Sequence, residues 1–352
     1  MRAFRCPNCG QAVAFEAQQC PTCAVTVGYH HPSQRMVCAP SQTLSVDGHG
    51  WARCAHWERG CNWLTADDSA SGRCYADSFV REGPAPDDTE AMSELDSTLK
   101  ALRRLIFELM DLGLPIHPYY ADREGLAFDL LSSQTLGRPV VMGHRNGVIT
   151  LDLSESLELY RERLRIKFGE PYRTMLGHFR HEVGHYYEML LVQNTALIDE
   201  ARAMFGDDRQ DYQAALQRHY EGEAPVNWQH DFISEYATAH PWEDFAETFA
   251  HYLHITGTLA TIADSGLVVE ADRVKWDLPR DIEARVSYAD GTIEDIVGDW
   301  TVLSGVLNRV NHSMGRDDLY PFSISPHVAA KLGFIHRVVT TASAEHPAAK
   351  RN

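Results

Sequence analysis

A stretch near residue 100 alternates apolar and polar positions with the period of a helix. Its apolar residues are three or four positions apart, which places them on one face, and they are Leu95, Leu99, Leu102, Ile106 and Leu109. Gly113 and Pro115 come next, and both residue types end helices. The pattern predicts an amphipathic helix with its apolar face in the core.

Three segments that follow have the residue content of β-strands. They are LAFDLL from Leu126, RPVVMGH from Arg138 and GVITLDL from Gly147. The sequence RNG at the junction of the last two is a hairpin turn signal, so we expect a small sheet. GVITLDL precedes the segment that contains HEVGHYY, and by that position it is the candidate for a sheet edge that pairs with an extended peptide by strand addition.

The rest of the chain is mostly helical in pattern. The charged segment ESLELYRERLRIKFG precedes TMLGHFRHEVGHYYEMLL, in which the apolar residues keep the helical period. A further helix is predicted to begin at Pro241, a residue type favoured in the first helical turn, and to run without a helix breaker to Ile255. A small sheet followed by mostly helical segments predicts the α+β class.

The composition is that of an ordinary globular chain, with 44% apolar and 23% charged residues among 352. No apolar run approaches the length of a membrane-spanning helix, and the N-terminus MRAFRCPNCG has no apolar signal core. We therefore expect a cytoplasmic protein without membrane association.

The net charge of −17 is unevenly distributed. Residues 1–75 carry six Lys or Arg and five acidic residues, so their net charge is +1 and the remainder carries −18. An acidic body repels phosphate backbones, which argues against nucleic acid as the main substrate.

The cysteines are clustered, since all eight lie within the first 74 residues. Four of them form the pattern C-x2-C-x10-C-x2-C, and these are Cys6, Cys9, Cys20 and Cys23. Each C-x2-C pair can turn two thiolates toward one cation, and four thiolates complete a closed tetrahedron. A redox pair would need a βαβ pattern around it, so we predict a structural zinc in a zinc ribbon.

A second cysteine group follows the ribbon. Cys54, Cys61 and Cys74 could hold a further structural zinc, with His56 or Asp77 as the fourth ligand. The alternative is a set of three buried thiols without metal. Cys38 has no partner in the sequence and is expected to be a small core residue.

The stretch FRHEVGHYYEML contains His181, Glu182 and His185 in the order H-E-x-x-H. Positions four apart share a helix face, so both imidazoles can reach one cation. Glu182 lies beside them, where it can take a proton from a zinc-bound water, whose pKa the metal lowers to about 7. The motif predicts a catalytic zinc site.

A catalytic zinc usually has three protein ligands and a water, so we expect a third ligand from another helix. In SEYATAHPWEDFAETFAHYLHI, Glu243 and Glu247 are four positions apart. Glu243 could bind zinc while Glu247 orients a ligating histidine, or the two could form a solvated acidic face. Tyr236 could donate to the oxyanion of a tetrahedral intermediate, or it could simply pack. His240 is the substitute candidate for the third ligand.

These motifs resemble those of a bacterial family of zinc-binding metallopeptidases that carry an N-terminal zinc ribbon. The shared blocks are CPNCG with CPTC, CNWL, GVITLDLSE, EPYRTMLGHFRHEVGHYY, FGDDRQDYQAALQRHY, SEYATAHPWEDFAETFAHYLHI and NHSMGRDDLYPF. The chain departs from the family where Cys74 is followed by Asp77, since a C-x2-C pair is expected there.

The order of the motifs is also similar to that of gluzincins, and within them to lethal-factor-like peptidases. Those enzymes combine H-E-x-x-H with a later E-x-x-x-E and place a tyrosine seven residues before the first glutamate. The resemblance implies that Glu182 is the general base, that Tyr236 stabilises the oxyanion and that Glu247 supports a ligand. By the same resemblance the zinc ligands are His181, His185 and Glu243.

We therefore predict a zinc metallopeptidase in which a zinc-bound water attacks the peptide carbonyl and Glu182 moves the proton. Its substrate would be a peptide or protein, and the ribbon would recruit or position a protein partner. The alternative is a non-catalytic, zinc-stabilised interaction module on a peptidase scaffold. A third hypothesis is that the same metal site hydrolyses an amide bond in a substrate that is not a peptide.

The predicted domain order begins with the zinc ribbon in residues 1–30 and a cysteine-containing extension in 31–85. A mostly helical, zincin-like metallopeptidase domain with a small sheet follows in 86–340, and 341–352 form a flexible tail. The main boundary rests on VREGPAPDDTEAM, a segment rich in proline and acidic residues. The cofactors are one catalytic zinc, one structural zinc, and a second structural zinc if the second cysteine group binds metal.

Overall fold

The computed structural model describes residues 2–122, 124–153, 174–222 and 224–346. The chain forms two compact units, one of residues 1–157 with 343–352 and one of residues 158–342. The strands within the described residues are β1 (Ala3–Arg5), β2 (Ala12–Ala14), β3 (Val27–His30), β4 (Arg35–Cys38), β5 (Thr43–Val46), β6 (His49–Arg53), β7 (Leu64–Ala66), β8 (Val80–Glu82), β9 (Ala127–Leu131), β10 (Gly143–Arg145), β11 (Val148–Asp152), β12 (Val268–Val269) and β13 (Ile282–Glu283). The α-helices are α1 (Thr89–Asp111), α2 (Ser133–Leu136), α3 (Met175–Glu188), α4 (Ile198–Phe205), α5 (Tyr212–Glu221), α6 (Pro241–Asp264), α7 (Ile293–Ser313) and α8 (Pro326–Glu345).

Among the described residues, no helix has the length and apolar content that a membrane crossing requires. The segment ESLELYRERLRIKFG, predicted to be helical, lies outside the described residues. The elements that are described, small sheets and a majority of helices, confirm the α+β class.

The cysteine-rich part of the first unit is built from small antiparallel sheets. β1 pairs with β2, β3 pairs with β4, and β5, β6 and β7 form a three-stranded sheet. Aromatic side chains fill the space between them, with neighbouring ring centroids 4.6 to 6.1 Å apart among Phe15, Tyr29, Trp63 and Phe107. Aromatic rings bury a large apolar area per residue, which compensates for the shortness of the strands.

Helix α1 confirms the amphipathic helix that the apolar repeat predicts. It begins earlier, at Thr89, because the Asp88 side chain accepts a hydrogen bond from the Ala91 backbone amide and caps the first turn. Arg104 on this helix pairs with Glu16, and Phe107 contributes to the aromatic core described above. The first unit therefore includes α1 and the following sheet.

A four-stranded sheet in the order β10-β11-β9-β8 completes the first unit. Asn146 and Gly147 both have positive φ angles, of 50° and 81°, and join β10 to β11 in the predicted hairpin. The expectation that GVITLDL forms a sheet edge is wrong, because β11 pairs with β10 on one side and with β9 on the other.

The second unit is helical, and its core lies between α3 and α6. Phe245, Phe249 and Leu253 of α6 are at most 1% exposed, as their helical spacing predicts. The helix continues to Asp264, past the predicted end at Ile255, and α3 is extended by a π-helical turn over Met189–Gln193. At the end of the chain, α8 reaches Glu345 and so includes the first residues of the segment predicted as a tail.

Candidate metal centres

Helices α3 and α6 approach each other closely at Gly184 and Ala246. A Cβ atom on Gly184 would lie 2.8 Å from the Cα atom of Ala246, a distance that side chains do not tolerate, so glycine is what permits the approach. His181 and His185 lie three positions before and one after Gly184, and the two glutamates of α6 have the same offsets from Ala246. The two small residues therefore bring the histidine pair and the glutamate pair into contact.

Three donor atoms of these side chains face one another. The Nε2 atoms of His181 and His185 are 3.2 Å apart, and Oε2 of Glu243 lies 3.0 Å from the first and 3.5 Å from the second. A zinc ion at about 2.0–2.1 Å from each donor would separate them by roughly 3.3–3.4 Å in a tetrahedral arrangement. The spacing of the three atoms therefore fits a zinc ion.

The environment of Glu243 supports the same conclusion. This carboxylate is 1% exposed, and within the described part of the chain its Oε2 atom has no well-aligned hydrogen-bond donor, although Nε2 of His181 lies 3.0 Å away. A buried carboxylate oxygen without a donor is costly, and a metal ion bound by the two imidazoles would satisfy it. The donor set of two imidazoles and one carboxylate is one that zinc enzymes use.

The second oxygen of Glu243 has a partner that the sequence did not reveal. The hydroxyl of Tyr212, in the first turn of α5, donates a hydrogen bond of 2.6 Å to Oε1. Burial and the neighbouring Glu243 raise the pKa of Tyr212 well above its usual value, so the phenol keeps its proton and remains a donor. Its only sequence signal was its position in the block FGDDRQDYQAALQRHY.

Glu247 holds His181 from the side opposite the donor cluster. Its Oε1 atom lies 2.7 Å from Nδ1 of His181, and its Oε2 atom accepts a hydrogen bond of 2.6 Å from the hydroxyl of Ser234. Ser234 was also missed by sequence reasoning. A carboxylate on the far nitrogen fixes the tautomer of an imidazole and turns the other nitrogen toward a metal.

The pKa values of these groups follow from their contacts. Burial alone would lower the pKa of His181, but Glu243 and Glu247 outweigh it and raise that pKa well above its usual value. Burial likewise favours protonated carboxyls, yet His181 and His185 lower the pKa of Glu243, and His181 lowers that of Glu247 to about 2. The two carboxylates are thus ionised, and the negative charge they place on either side of His181 attracts a cation.

The remaining predicted residues lie around this cluster. Glu182 is 5% exposed, and its Oε1 atom lies 3.8 Å from Nε2 of His178. Tyr236 belongs to a 3-10 turn before α6, with its ring centroid 5.8 Å from that of His181. Burial raises the pKa of Tyr236 well above its usual value and keeps the phenol protonated. His240 does not join the cluster, because its Nδ1 atom caps α6 by accepting from the Trp242 amide.

The predicted ribbon cysteines converge in the first unit. The Sγ atoms of Cys6 and Cys23 are 3.7 Å apart, and so are those of Cys9 and Cys20. Two thiolates bound to one zinc at about 2.3 Å would be roughly 3.8 Å apart, so the four sulfurs have the spacing of a zinc site.

The second cysteine group also converges. Cys54, Cys61, Cys74 and Asp77 bring their donor atoms within 4.8 Å of one another. Of the two candidates for the fourth position, Asp77 belongs to this set and His56 lies behind it as a partner of the Asp77 carboxylate, 2.8 Å away. The expectation that Cys38 is a core residue is wrong, because Cys38 is exposed.

Comparison with known proteins gives the same two regions. A family model described as "putative zinc-binding metallo-peptidase" matches residues 91–338, and a model described as a zinc-ribbon domain matches residues 3–88. Uncharacterized proteins of Mycobacterium bovis and of two strains of Mycobacterium tuberculosis are each 42% identical over 342 residues, which covers 96% of this chain and 95% of the relative. No solved structure matches the chain.

Proposed function

The chain belongs to this zinc-binding metallo-peptidase family, and we propose that its helical unit hydrolyses peptide bonds at the site between α3 and α6. The observation that carries the proposal is the convergence of His181, His185 and Glu243 on one point, with a buried carboxylate oxygen directed at it. In this proposal the site is of the gluzincin type, and the ribbon cysteines hold a separate, structural zinc.

A zinc ion bound there supplies a Lewis acid that polarises the scissile carbonyl and lowers the pKa of water. Glu182 follows His181 directly and is buried, so its carboxylate accepts a proton from the nucleophilic water and returns it to the leaving amine. This transfer is the step that the side chain contributes to the reaction.

Two further side chains act around the reacting carbonyl. The phenol of Tyr236 keeps its proton because burial raises its pKa, so it can donate a hydrogen bond to the oxyanion of the tetrahedral intermediate. Ser234 holds Glu247 and accepts a hydrogen bond of 3.1 Å from the Ala237 amide, within the turn that carries Tyr236. Ser234 thereby couples the position of the phenol to that of His181.

The test compares the full-length protein with Glu182→Gln on a cell proteome, scored by new peptide termini in mass spectrometry. Wild type should produce new termini and Glu182→Gln should produce none, while both contain the same amount of zinc. Glu221→Gln, an exposed residue at the end of α5, is the matched control and should cleave like wild type.

Two results would contradict the proposal in different ways. Cleavage retained by Glu182→Gln would exclude Glu182 as the general base. Wild-type protein that contains zinc at His181 and His185 but produces no new termini would favour a zinc-stabilised interaction module.

A further inference from the structure

Four donor atoms lie together in the interior of the first unit, apart from the zinc ribbon. They belong to Cys54, Cys61, Cys74 and Asp77, which are at most 1% exposed. A carboxylate buried among thiols loses its hydration, and without compensation this is costly. Arg103 and His56 contact this carboxylate and offset part of that cost, and a cation held by all four groups would offset the rest.

The distances within the group are those of metal ligands. The Sγ atoms of Cys61 and Cys74 are 3.8 Å apart, and Sγ of Cys54 lies 3.4 Å from Oδ2 of Asp77. Two thiolates on a tetrahedral zinc would be roughly 3.8 Å apart, and a thiolate and a carboxylate oxygen roughly 3.5 Å apart. A disulfide would instead require the two sulfurs at about 2.05 Å.

Backbone amides point at the sulfur of Cys54. The amide nitrogen of His56 lies 3.5 Å from this sulfur, and that of Cys74 lies 3.3 Å from it. Amide donors stabilise a thiolate more than a thiol, because a hydrogen bond to a charged acceptor is stronger. The main chain is therefore arranged to favour the form of Cys54 that binds metal.

Arg103 accounts for the carboxylate at position 77. Its Nη1 atom lies 3.1 Å from Oδ1 and 3.3 Å from Oδ2 of Asp77, and the guanidinium is itself buried. Zinc with three thiolates and one carboxylate carries a net charge of −2, which a buried guanidinium offsets. A thiolate has one acceptor atom and a carboxylate has two oxygens, each with two lone pairs. Asp77 can therefore face a metal with Oδ2, which also lies 2.8 Å from Nδ1 of His56, while Arg103 contacts both oxygens and lies nearer to Oδ1.

We propose that Cys54, Cys61, Cys74 and Asp77 bind a second structural zinc, and that Asp77 links this metal to helix α1 through Arg103. The site then has two roles. It closes the cysteine-rich part around a metal, and it fixes α1, which lies in the segment matched by the peptidase family model, to the segment matched by the zinc-ribbon model.

Cobalt substitution of the full-length protein tests the site, because thiolate-to-cobalt charge-transfer absorbance reports thiolate ligands and is blind to the histidine and glutamate site. Wild type should show seven thiolates, four from the ribbon and three from the second group. Asp77→Cys should raise the absorbance by about one-seventh, since it adds one thiolate to an occupied site. Cys38→Ser is the matched control and should leave the absorbance unchanged.

The same experiment can overturn the proposal. In the contradicting result, wild type shows the absorbance of four thiolates and Asp77→Cys shows twice that absorbance. The second site would then be empty in wild type, and only a fourth cysteine would let it bind metal. Total zinc, by elemental analysis, separates this outcome from a failure of the proposed function. Loss of the histidine and glutamate site would lower total zinc without changing the thiolate signal.

The link through Arg103 has its own test in the rate at which a chelator removes the second metal. Arg103→Met should accelerate this release about tenfold in wild type, the size typical of losing a partner of a metal ligand. In the Asp77→Cys background it should have little effect, because a thiolate bound to the metal has no second acceptor atom for the guanidinium. Equal acceleration in both backgrounds would show that Arg103 acts by packing and not through the Asp77 carboxylate. If the Arg103→Met protein does not fold, Arg103→Lys is the variant that keeps the positive charge.

Discussion

The hydroxyl of Tyr212 donates a 2.6 Å hydrogen bond to Oε1 of Glu243, while Oε2 of the same carboxylate faces His181 and His185. One oxygen is thus held by the protein and the other is directed at the metal position. This arrangement fixes the rotation of the carboxylate, so the proposed third ligand is in place before a metal binds. Partners of this kind tune metal affinity from outside the ligand set.

Tyr212→Phe should therefore weaken zinc binding at the helical site by about 10- to 100-fold, the range observed when a ligand loses its supporting hydrogen bond. Competition with a chelator of known affinity measures the effect without a substrate. Tyr220→Phe, on the same helix and 45% exposed, makes the same chemical change and should bind zinc like wild type. Equal affinity of the Tyr212→Phe protein and wild type would show that the hydroxyl does not position Glu243.

A second prediction concerns the support of His181. Glu247→Gln should reduce zinc affinity by about 10- to 100-fold, because a neutral amide holds the Nδ1 proton of the ligand less strongly than a carboxylate does. Ser234→Ala removes one hydrogen bond to Glu247 and one from the Ala237 amide but leaves the Glu247 carboxylate on His181, so its effect on zinc affinity should be smaller. The order of the two variants is the measured outcome, and a larger loss in Ser234→Ala than in Glu247→Gln would contradict it.

The parts of the site that the sequence predicts are those that lie within one helix. The spacing of four that pairs His181 with His185, and Glu243 with Glu247, is a property of helical geometry, and the structure brings three of these four residues to one point. Their roles as ligands and as support stay predictions. Tyr212 was not foreseen, because it contacts Glu243 from 31 positions away and no periodic pattern relates one helix to another.

The features of the fold that the sequence predicts are also the local ones, and those it misses depend on segments far apart in the chain. Local signals predicted α1 from its apolar repeat and the hairpin between β10 and β11 from its Asn-Gly turn. The composition of a linker could not show that α1 packs with the cysteine-rich part, because that depends on Arg103 and Phe107 meeting partners far earlier in the chain. The position of GVITLDL inside the sheet depends likewise on pairing with β9, which the sequence pattern of one strand does not contain.

A pH prediction follows from His31 in the first unit, which stacks on Tyr75 with ring centroids 5.1 Å apart. Burial lowers the pKa of His31 from 6.5 to about 4. The unfolded chain therefore takes up a proton that the folded protein excludes, and the stability contributed by neutral His31 is present above pH 6.5 and is lost as the pH falls toward 4. His31→Phe, which keeps the stacking, should reduce this loss.

The measurement is the free energy of unfolding by urea at pH 7.5 and at pH 5.5, in the presence of zinc. The decrease between the two pH values should be smaller in His31→Phe than in wild type. His49→Phe, at an exposed position, is the control and should keep the wild-type decrease. An identical decrease in all three proteins would exclude His31 as a source of the pH dependence.

The close approach of α3 and α6 gives the last prediction. Gly184→Ala places a Cβ atom 2.8 Å from the Ala246 Cα and 3.0 Å from its carbonyl oxygen, so the helices must move apart. Overpacking of this kind costs about 1–3 kcal/mol, more than the roughly 1 kcal/mol that alanine contributes over glycine within a helix. The variant should unfold at lower urea concentration and bind zinc more weakly, because the histidine and glutamate pairs separate.

Gly298→Ala is the control for this substitution. Gly298 lies in the middle of α7 on its exposed face, and no atom lies within 4 Å of the added Cβ. This variant should be as stable as wild type or more stable. If both substitutions stabilised the protein, the contact between Gly184 and Ala246 would not be what sets the distance between the two pairs.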